Sequence, residues 1–183
     1  MVLNWVKNRI TLHDAEQEEI DKVFDFLRSE DREVDFNNII PMPAELMDTE
    51  AGSESNTLWE YYQAKEFGDY TEIDKHFAYP WITVAGIETR DDLLDFFLEL
   101  KPDIYEHGRY LHELDEIYGY HDWYGWSCDH WGVKYNACDA RRSGNIIVFE
   151  TAERGVPRLI LMVSEKFPEV TMDYEFADED YWI

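Results

Sequence analysis

A period-two alternation of side chains between Trp131 and Asp139 constrains the fold of this chain more than any other sequence feature. Trp131, Val133, Tyr135 and Ala137 fall on one side of the pattern, and glycine, lysine and asparagine alternate with them. Successive side chains of a strand point to opposite faces of a sheet. The segment therefore predicts a β-strand whose one face packs on a core while the other meets solvent.

Four other segments carry the signature of strands. They are residues 4–13, 34–40, 146–149 and 170–176, of which the last shows the clearest alternation. Pro41 and Pro43 end the second segment because proline has no N–H to donate to a ladder. The polar loop 139–145 connects the strand predicted at 131–139 to the strand predicted at 146–149, and this arrangement predicts a β-hairpin.

Capping residues and apolar side chains three or four positions apart predict the helices. The predicted helices run from a capping box at Asp14 and Gln17 to Ser29, from Thr57 and Glu60 through Tyr62, from Thr89 and Asp92 through Leu100, over 104–118 before Gly119, and from Pro157 to Phe167. Gly119 is a natural terminator, and Pro157 fits a first helical turn because its missing N–H costs nothing there. The middle of the chain is therefore expected to be mostly helical.

Without the middle segment, the elements follow the order strand, helix, strand, strand pair, helix, strand. This order predicts an α+β fold with a ferredoxin-like split βαβ antiparallel sheet, helices on one face and a mostly helical insertion. The predicted division places the first half of the core at 1–44, the insertion at 45–129, and the second half with an acidic tail at 130–183.

Composition limits the class of protein. The chain has 183 residues, of which 45% are hydrophobic and 16% aromatic, so it can bury a core and is not expected to be disordered. No apolar run approaches the roughly 20 residues that span a bilayer, and the first residues lack a signal-peptide pattern. Cys128 and Cys138 are too few for a secreted disulfide framework. These features predict a cytoplasmic protein.

The charge balance bears on the choice of partner. The chain carries 41 acidic and 16 basic side chains, and its formal charge is −25. The net charge is −5 over residues 1–44, −16 over 45–129 and −4 over 130–183, so the excess lies in the predicted insertion. Direct binding to nucleic acid or to an anionic membrane is disfavoured because both depend on clustered lysine and arginine.

Four separated pieces of the chain resemble one known family. The pieces are Asn-Trp-Val-Lys-Asn-Arg-Ile at 4–10, Phe-Asn-Asn-Ile-Ile-Pro-Met-Pro at 36–43, Trp-Gly-Val-Lys-Tyr-Asn-Ala at 131–137 and Val-Ser-Glu-Lys-Phe-Pro at 163–168. Together they resemble the YubB-type ferredoxin-like family of phages and conjugative plasmids, over about the first 45 and last 55 residues. The segment 149–155 departs from that pattern, because it lacks an aromatic and proline-rich turn.

The resemblance implies a ferredoxin-like fold without an iron–sulfur cluster, and an origin in a mobile element. It implies no catalytic residues and no cofactor. Two candidate binding surfaces follow from the residues themselves. An acidic surface is predicted at Asp91, Asp92, Asp95, Glu113, Asp115 and Glu116, and a polar sheet patch is predicted at Lys7, Asn8, Arg9, Lys134 and Asn136.

Catalytic chemistry has few candidates in this sequence. Cys128, His130 and Cys138 suggest a metal site, but zinc sites commonly bring four ligands in paired spacings, and a fourth is not evident. His121 beside Asp122 does not form a dyad on a strand, because neighbouring side chains point to opposite faces. Glycine-rich phosphate loops are absent.

Two hypotheses of different classes remain after these exclusions. The first is a non-enzymatic accessory protein of a phage or plasmid, whose acidic insertion imitates nucleic-acid phosphates and occupies a basic site on a nucleic-acid-binding protein. The second is a metal-assisted nucleic-acid-processing enzyme that uses Cys128, His130, His121 and nearby carboxylates.

Overall fold

The computed structural model describes residues 4–50 and 52–178 and arranges them as an α+β protein. In chain order the elements are β1 (Trp5–His13), α1 (Gln17–Leu27), a 3-10 helix (Phe36–Asn38), α2 (Ala44–Met47), α3 (Ser53–Phe67), α4 (Thr71–His76), α5 (Pro80–Val84), α6 (Arg90–Leu100), α7 (Pro102–Tyr118), α8 (Trp123–His130), β2 (Cys138–Ser143), β3 (Ile146–Ala152), α9 (Pro157–Lys166) and β4 (Thr171–Asp178). The predicted α+β class is confirmed.

The four strands form one sheet in the order β2-β3-β1-β4, and every neighbouring pair is antiparallel. The sheet is buried on one face because side chains alternate along β1: Val6, Ile10 and Leu12 are buried while Lys7 and Arg9 are partly exposed. This alternation agrees with the sequence pattern of the first strand.

The structure contradicts the predicted strand at 34–40, which contains the 3-10 helix instead. Side chains supply the hydrogen bonds that a neighbouring strand would supply. Asp35 accepts from the backbone N–H of Asn37 at 2.9 Å, and the amide oxygen of Asn136 accepts from the N–H of Phe36 at 2.9 Å. Asparagine and aspartate compete with strand ladders in this way.

The predicted strand at 131–139 is also wrong over most of its length, because β2 begins only at Cys138. Trp131, Val133 and Ala137 are buried, but Tyr135 is only partly buried, as are its neighbours Lys134 and Asn136, so the alternation in burial holds in part. The backbone there is irregular, and Gly132 has a φ of 79°. In an irregular segment that packs on a core, apolar and polar side chains can alternate along the sequence as they do in a strand. The hairpin exists further along, between β2 and β3, and most of the predicted loop 139–145 is strand.

The predicted helix ends have mixed outcomes. The capping boxes at Asp14 and Thr57 are wrong. Asp14 binds the ring of His13 and α1 starts at Gln17, while Thr57 lies inside α3 and donates to the carbonyl of Ser53. The capping box at Thr89, the end of α7 before left-handed Gly119 and the start of α9 at Pro157 are confirmed.

The chain divides into two compact units. The sheet unit comprises Met1–Met42 and Tyr124–Ile183, and the helical unit comprises Pro43–Trp123. In the helical unit α3 and α7 approach closely at Gly108, where an added Cβ would lie 2.4 Å from the Cβ of Leu58. The core of this unit contains aliphatic and aromatic side chains, among them Tyr61 and fully buried Phe97.

Candidate functional site

The helical unit carries 20 acidic and 5 basic side chains, and most of its cations are already engaged within the unit. Four of the five basic residues form ion pairs: Lys75 with Glu72, Arg90 with Asp74, Lys101 with Glu54, and Arg109 with Glu106 and Glu113. The remaining carboxylates therefore outnumber the cations available to neutralise them, and the surface of this unit attracts positive charge.

A pocket of about 590 Å³ opens in this acidic unit. Helices α3 and α4, the segment after α4 and the start of α6 supply its walls, and the lining residues are Tyr61, Tyr70, Asp74, Phe77, Glu88, Thr89, Arg90 and Asp91. The local sequence accounts for the rim on α6. Thr89 caps the helix by accepting from the N–H of Asp92, and this cap holds Glu88 and Asp91 on either side of the helix start.

Arg90 is clamped inside this pocket. Its Nε and Nη2 donate to the two carboxylate oxygens of Asp74 at 2.7 and 2.6 Å, and its guanidinium carbon lies 4.0 Å from the centroid of the Tyr70 ring. The ion pair lowers the pKa of Asp74 below its ordinary value. Burial, followed by the nearby charge of Asp91, raises the pKa of Tyr61. The pocket thus holds one guanidinium between a carboxylate and an aromatic ring.

Two carboxylates of the pocket have no such cation. Glu88 and Asp91 are exposed, and among residues 4–50 and 52–178 neither side chain accepts a hydrogen bond or forms an ion pair. With three acids and one base, the pocket lining carries a net charge of −2. The arrangement suits a cationic group that also has a flat or apolar surface.

The other acidic residues predicted from the sequence do not share this pocket. Asp92 caps α6 by accepting from the N–H of Thr89 at 2.8 Å, and these hydrogen bonds lower its pKa. Asp95 is exposed on α6, and Glu113 pairs with Arg109 at 2.8 Å. Asp115 accepts from the side-chain amide of Gln63. The six predicted residues therefore have different tasks, and Asp91 alone lines the pocket.

Glu116, the last of the predicted acids, belongs to a different group. Glu66, His112 and Glu116 offer ligand atoms within 4.8 Å of one another, and no other group of this kind is found in the described part of the chain. The ring of His112 stacks on Tyr62, with 5.4 Å between the centroids. None of the three belongs to the metal-ligand set expected from the sequence.

The residues of that expected set have other contacts. The Nδ1 atom of His130 lies 3.0 Å from the carbonyl oxygen of Trp126, and its ring stacks on the Trp126 ring. Cys128 and Cys138 are free, and Cys128 is exposed. His121 belongs to the helical unit and stacks on Trp59 at 3.9 Å.

The predicted polar sheet patch is assembled differently from the expectation. Lys7 and Arg9 line a pocket of about 340 Å³ on the sheet, joined by Arg141 of β2 and by Asp139 and Glu150. Sequence reasoning missed Arg141 because it placed this residue in a loop. Arg9 lies between Val148 and Glu175 in the sheet register, and its guanidinium is 3.9 Å from the Glu175 carboxylate.

Asn8 borders the same pocket, but its side chain is fully buried beneath that surface. Its Nδ2 donates to the hydroxyl of Thr151 at 2.7 Å, and its Oδ1 accepts from the hydroxyl of Tyr174 at 2.5 Å. Tyr174 in turn accepts from the N–H of Val156 at 2.7 Å, and burial raises the pKa of Tyr174 to about 12. A buried amide requires such partners, so Asn8 has a structural role.

Lys134 and Asn136 do not line the sheet pocket. The Lys134 ammonium sits 5.4 and 4.9 Å from the ring centroids of Tyr124 and Tyr135, and the premise that its segment is a strand beside β1 is wrong. The side chain of Asn136 binds Phe36 and Asp35, so it holds the 3-10 helix in place.

Comparison with known protein families, with curated proteins and with solved structures finds no significant match to this chain. The resemblance to the YubB-type family therefore stays a prediction. Within the described residues, no helix is long and apolar enough to cross a membrane.

Proposed function

We propose that this protein is a non-enzymatic binding module that presents its acidic helical unit to a basic, nucleic-acid-binding protein. The observation that carries the proposal is that four of the five basic side chains of the unit form ion pairs with carboxylates of the same unit. The surplus carboxylates, including Glu88 and Asp91, meet solvent. They are available to a partner.

The mechanism is electrostatic competition. A surface of carboxylates on rigid helices imitates the spaced charges of a phosphate backbone and steers a basic protein toward encounter. Nucleic acid and this protein would then exclude each other from the same basic site. The interaction would weaken as salt rises, because exposed charges are screened over about 10 Å at 0.1 M ionic strength.

The proposal extends to the scaffold. We assign the sheet unit to the ferredoxin-like class, supported by the strand order, the antiparallel pairing, and the positions of α1 after β1 and α9 between β3 and β4. Together with the resemblance to YubB-type proteins, this supports an accessory role in a phage or plasmid. The two free cysteines suit a cytoplasmic location.

A pull-down from host-cell extract at low and at high salt tests the function, provided that each captured protein is then challenged with duplex DNA. We expect a basic nucleic-acid-binding protein that is captured at low salt, lost at high salt, and displaced by the DNA. Capture that is indifferent to both salt and DNA would contradict the proposal.

The metal-assisted nucleic-acid-processing enzyme is the second candidate function, and the group Glu66, His112 and Glu116 is the observation that favours it. Elemental analysis of the purified protein tests this candidate. The comparison includes His112→Ala and, for the ligands expected from the sequence, Cys128→Ser with His130→Ala. A stoichiometric metal that one of these changes removes would support the enzyme, and its absence from the wild-type protein would remove it.

A further inference from the structure

The pocket of the helical unit contains more carboxylates than cations. Asp74 is neutralised by Arg90, but Glu88 and Asp91 have no cation among the described residues. Both side chains are exposed and line the pocket, Glu88 before α6 and Asp91 in its first turn. Two uncompensated carboxylates beside a concave surface favour a positively charged group and disfavour phosphate or a nucleotide.

Aromatic side chains narrow the choice of cation. Tyr61 and Phe77 line the pocket in addition to Tyr70, whose ring already carries the guanidinium of Arg90. A guanidinium is planar, stacks on aromatic rings and binds carboxylates through paired N–H groups, whereas an ammonium is a compact and strongly hydrated charge. Arg90 is an example within the same pocket, since its guanidinium is held by the carboxylate of Asp74 and the ring of Tyr70.

The volume of the pocket is large enough for a side chain or a small molecule. About 590 Å³ lies within the range of roughly 300–1,000 Å³ that is usual for small-ligand pockets. A single long side chain that projects from a basic surface is small enough to enter it.

We propose that the pocket between Tyr61, Phe77, Glu88 and Asp91 binds an arginine side chain of the basic partner. This inference rests on the proposed function and names the contact by which the partner is anchored. The guanidinium lies against the half-buried ring of Phe77 while its N–H groups donate to the carboxylates of Glu88 and Asp91. Long-range attraction by the helical unit brings the partner close, and the pocket then selects arginine over lysine.

The test uses the full-length protein and small probes. N-acetylarginine amide, N-acetyllysine amide and the neutral isostere N-acetylcitrulline amide are titrated separately, and amide and aromatic chemical shifts are followed by NMR. We expect saturable shifts around Tyr61, Tyr70 and Phe77 with the arginine probe, weaker binding of the lysine probe and none of the citrulline probe. Equal binding of citrulline or tighter binding of lysine would overturn the inference.

A matched pair of variants locates the site. Glu88→Gln with Asp91→Asn removes two charges of the pocket lining, and Glu99→Gln with Asp103→Asn removes two exposed charges of the helical unit outside that lining. We expect the first pair to weaken the arginine probe about fivefold or more and the second pair to change it less than about twofold. Equal effects of the two pairs would overturn the inference.

The outcomes separate the pocket from the wider proposal. If the arginine probe binds as expected and no salt-sensitive basic partner is captured, the pocket stands and the proposed function fails. If a salt-sensitive partner is captured but binds the Glu88→Gln, Asp91→Asn protein as tightly as the wild type, the proposed function stands and the arginine pocket fails.

Discussion

The helical unit and the sheet unit handle charge in opposite ways. On the open side of the sheet, basic and acidic side chains alternate across strands: Lys7 lies opposite Glu150, and Arg9 lies opposite Glu175. In the helical unit four of the five basic side chains pair with carboxylates of the same unit, and the acidic side chains outnumber the basic ones by 20 to 5. The comparison teaches that net charge alone does not mark a binding surface. A charged surface is a candidate binding surface where neighbouring side chains do not neutralise its charges.

Removing a core phenylalanine from each unit should have the largest effect. Phe97 in the helical unit and Phe149 in the sheet unit are both almost fully buried. Phe97→Ala and Phe149→Ala should each lower the free energy of unfolding by about 3–5 kcal/mol, because each leaves a cavity. Urea denaturation measures the loss.

Binding of the arginine probe by the same two variants distinguishes the helical unit from the sheet unit. Phe97 shares its core cluster with Tyr61 of the pocket, so Phe97→Ala should also weaken arginine binding under conditions where the protein is folded. Phe149→Ala should leave that binding intact under the same conditions. The reverse pattern would place recognition on the sheet unit.

The buried polar network of the sheet unit should give the next largest effect. Asn8→Ala removes the acceptor of Tyr174 and the donor to Thr151, and it should cost about 2–3 kcal/mol because buried polar groups lose their partners. Lys7→Ala, the neighbouring residue on the open face, is the control and should cost less than about 0.5 kcal/mol. Similar losses in thermal unfolding would contradict the structural role of Asn8.

The cap of α6 should give a smaller effect with a functional consequence. Thr89→Ala removes the side-chain acceptor for the N–H of Asp92 and should destabilise the protein by about 1 kcal/mol. Since the cap positions Glu88 and Asp91, the arginine probe should also bind more weakly. Thr83→Ala, an exposed change on α5, is the matched control and should alter neither stability nor probe binding.

The pH dependence of stability should show the smallest effect. Hydrogen bonds from Thr89, and the ion pair with Arg90, hold the pKa values of Asp92 and Asp74 below their ordinary value of 3.8. A carboxyl group with a lowered pKa stabilises the folded state above its unfolded pKa, and this contribution is lost as pH falls through the folded pKa. Asp92→Asn should therefore flatten the decline in melting temperature below about pH 4. If the melting temperature of Asp92→Asn falls with decreasing pH as steeply as that of the wild type, the stabilising role of the Asp92 carboxylate is contradicted.

The fold was predictable where a local signal and the tertiary structure agree. Thr89 with Asp92, Gly119 and Pro157 each mark a helix end by a mechanism that needs no distant partner. The capping boxes expected at Asp14 and Thr57 failed on local contacts, whereas the failure at 34–40 involves a distant side chain. The strand expected at 34–40 becomes a 3-10 helix because Asn136, about a hundred residues away in the chain, accepts from Phe36.

The candidate site shows the same limit. Asp91 was identified from the sequence, but its neighbours Tyr61, Tyr70 and Phe77 come from three different segments, and no spacing rule connects them. Asp92 and Asp115 look equally acidic in the sequence, yet one caps a helix and the other binds Gln63. The excess of acidic residues in the insertion can be counted in the sequence. Only the structure shows that most of the basic side chains there are already in ion pairs, so that they cannot neutralise the remaining carboxylates.

One measurement tests the central claim, that uncompensated carboxylates of the helical unit recognise a basic partner. The association rate of the captured partner is measured across ionic strength for two full-length variants of equal charge. Glu88→Gln, Asp91→Asn, Asp95→Asn alters the helical unit, and Glu150→Gln, Asp173→Asn, Glu175→Gln alters the sheet unit.

We expect the helical variant to associate about tenfold more slowly than the wild type at low salt, a difference that disappears at high salt, while the sheet variant keeps the wild-type rate. Equal slowing of both variants, or of neither, would contradict the account.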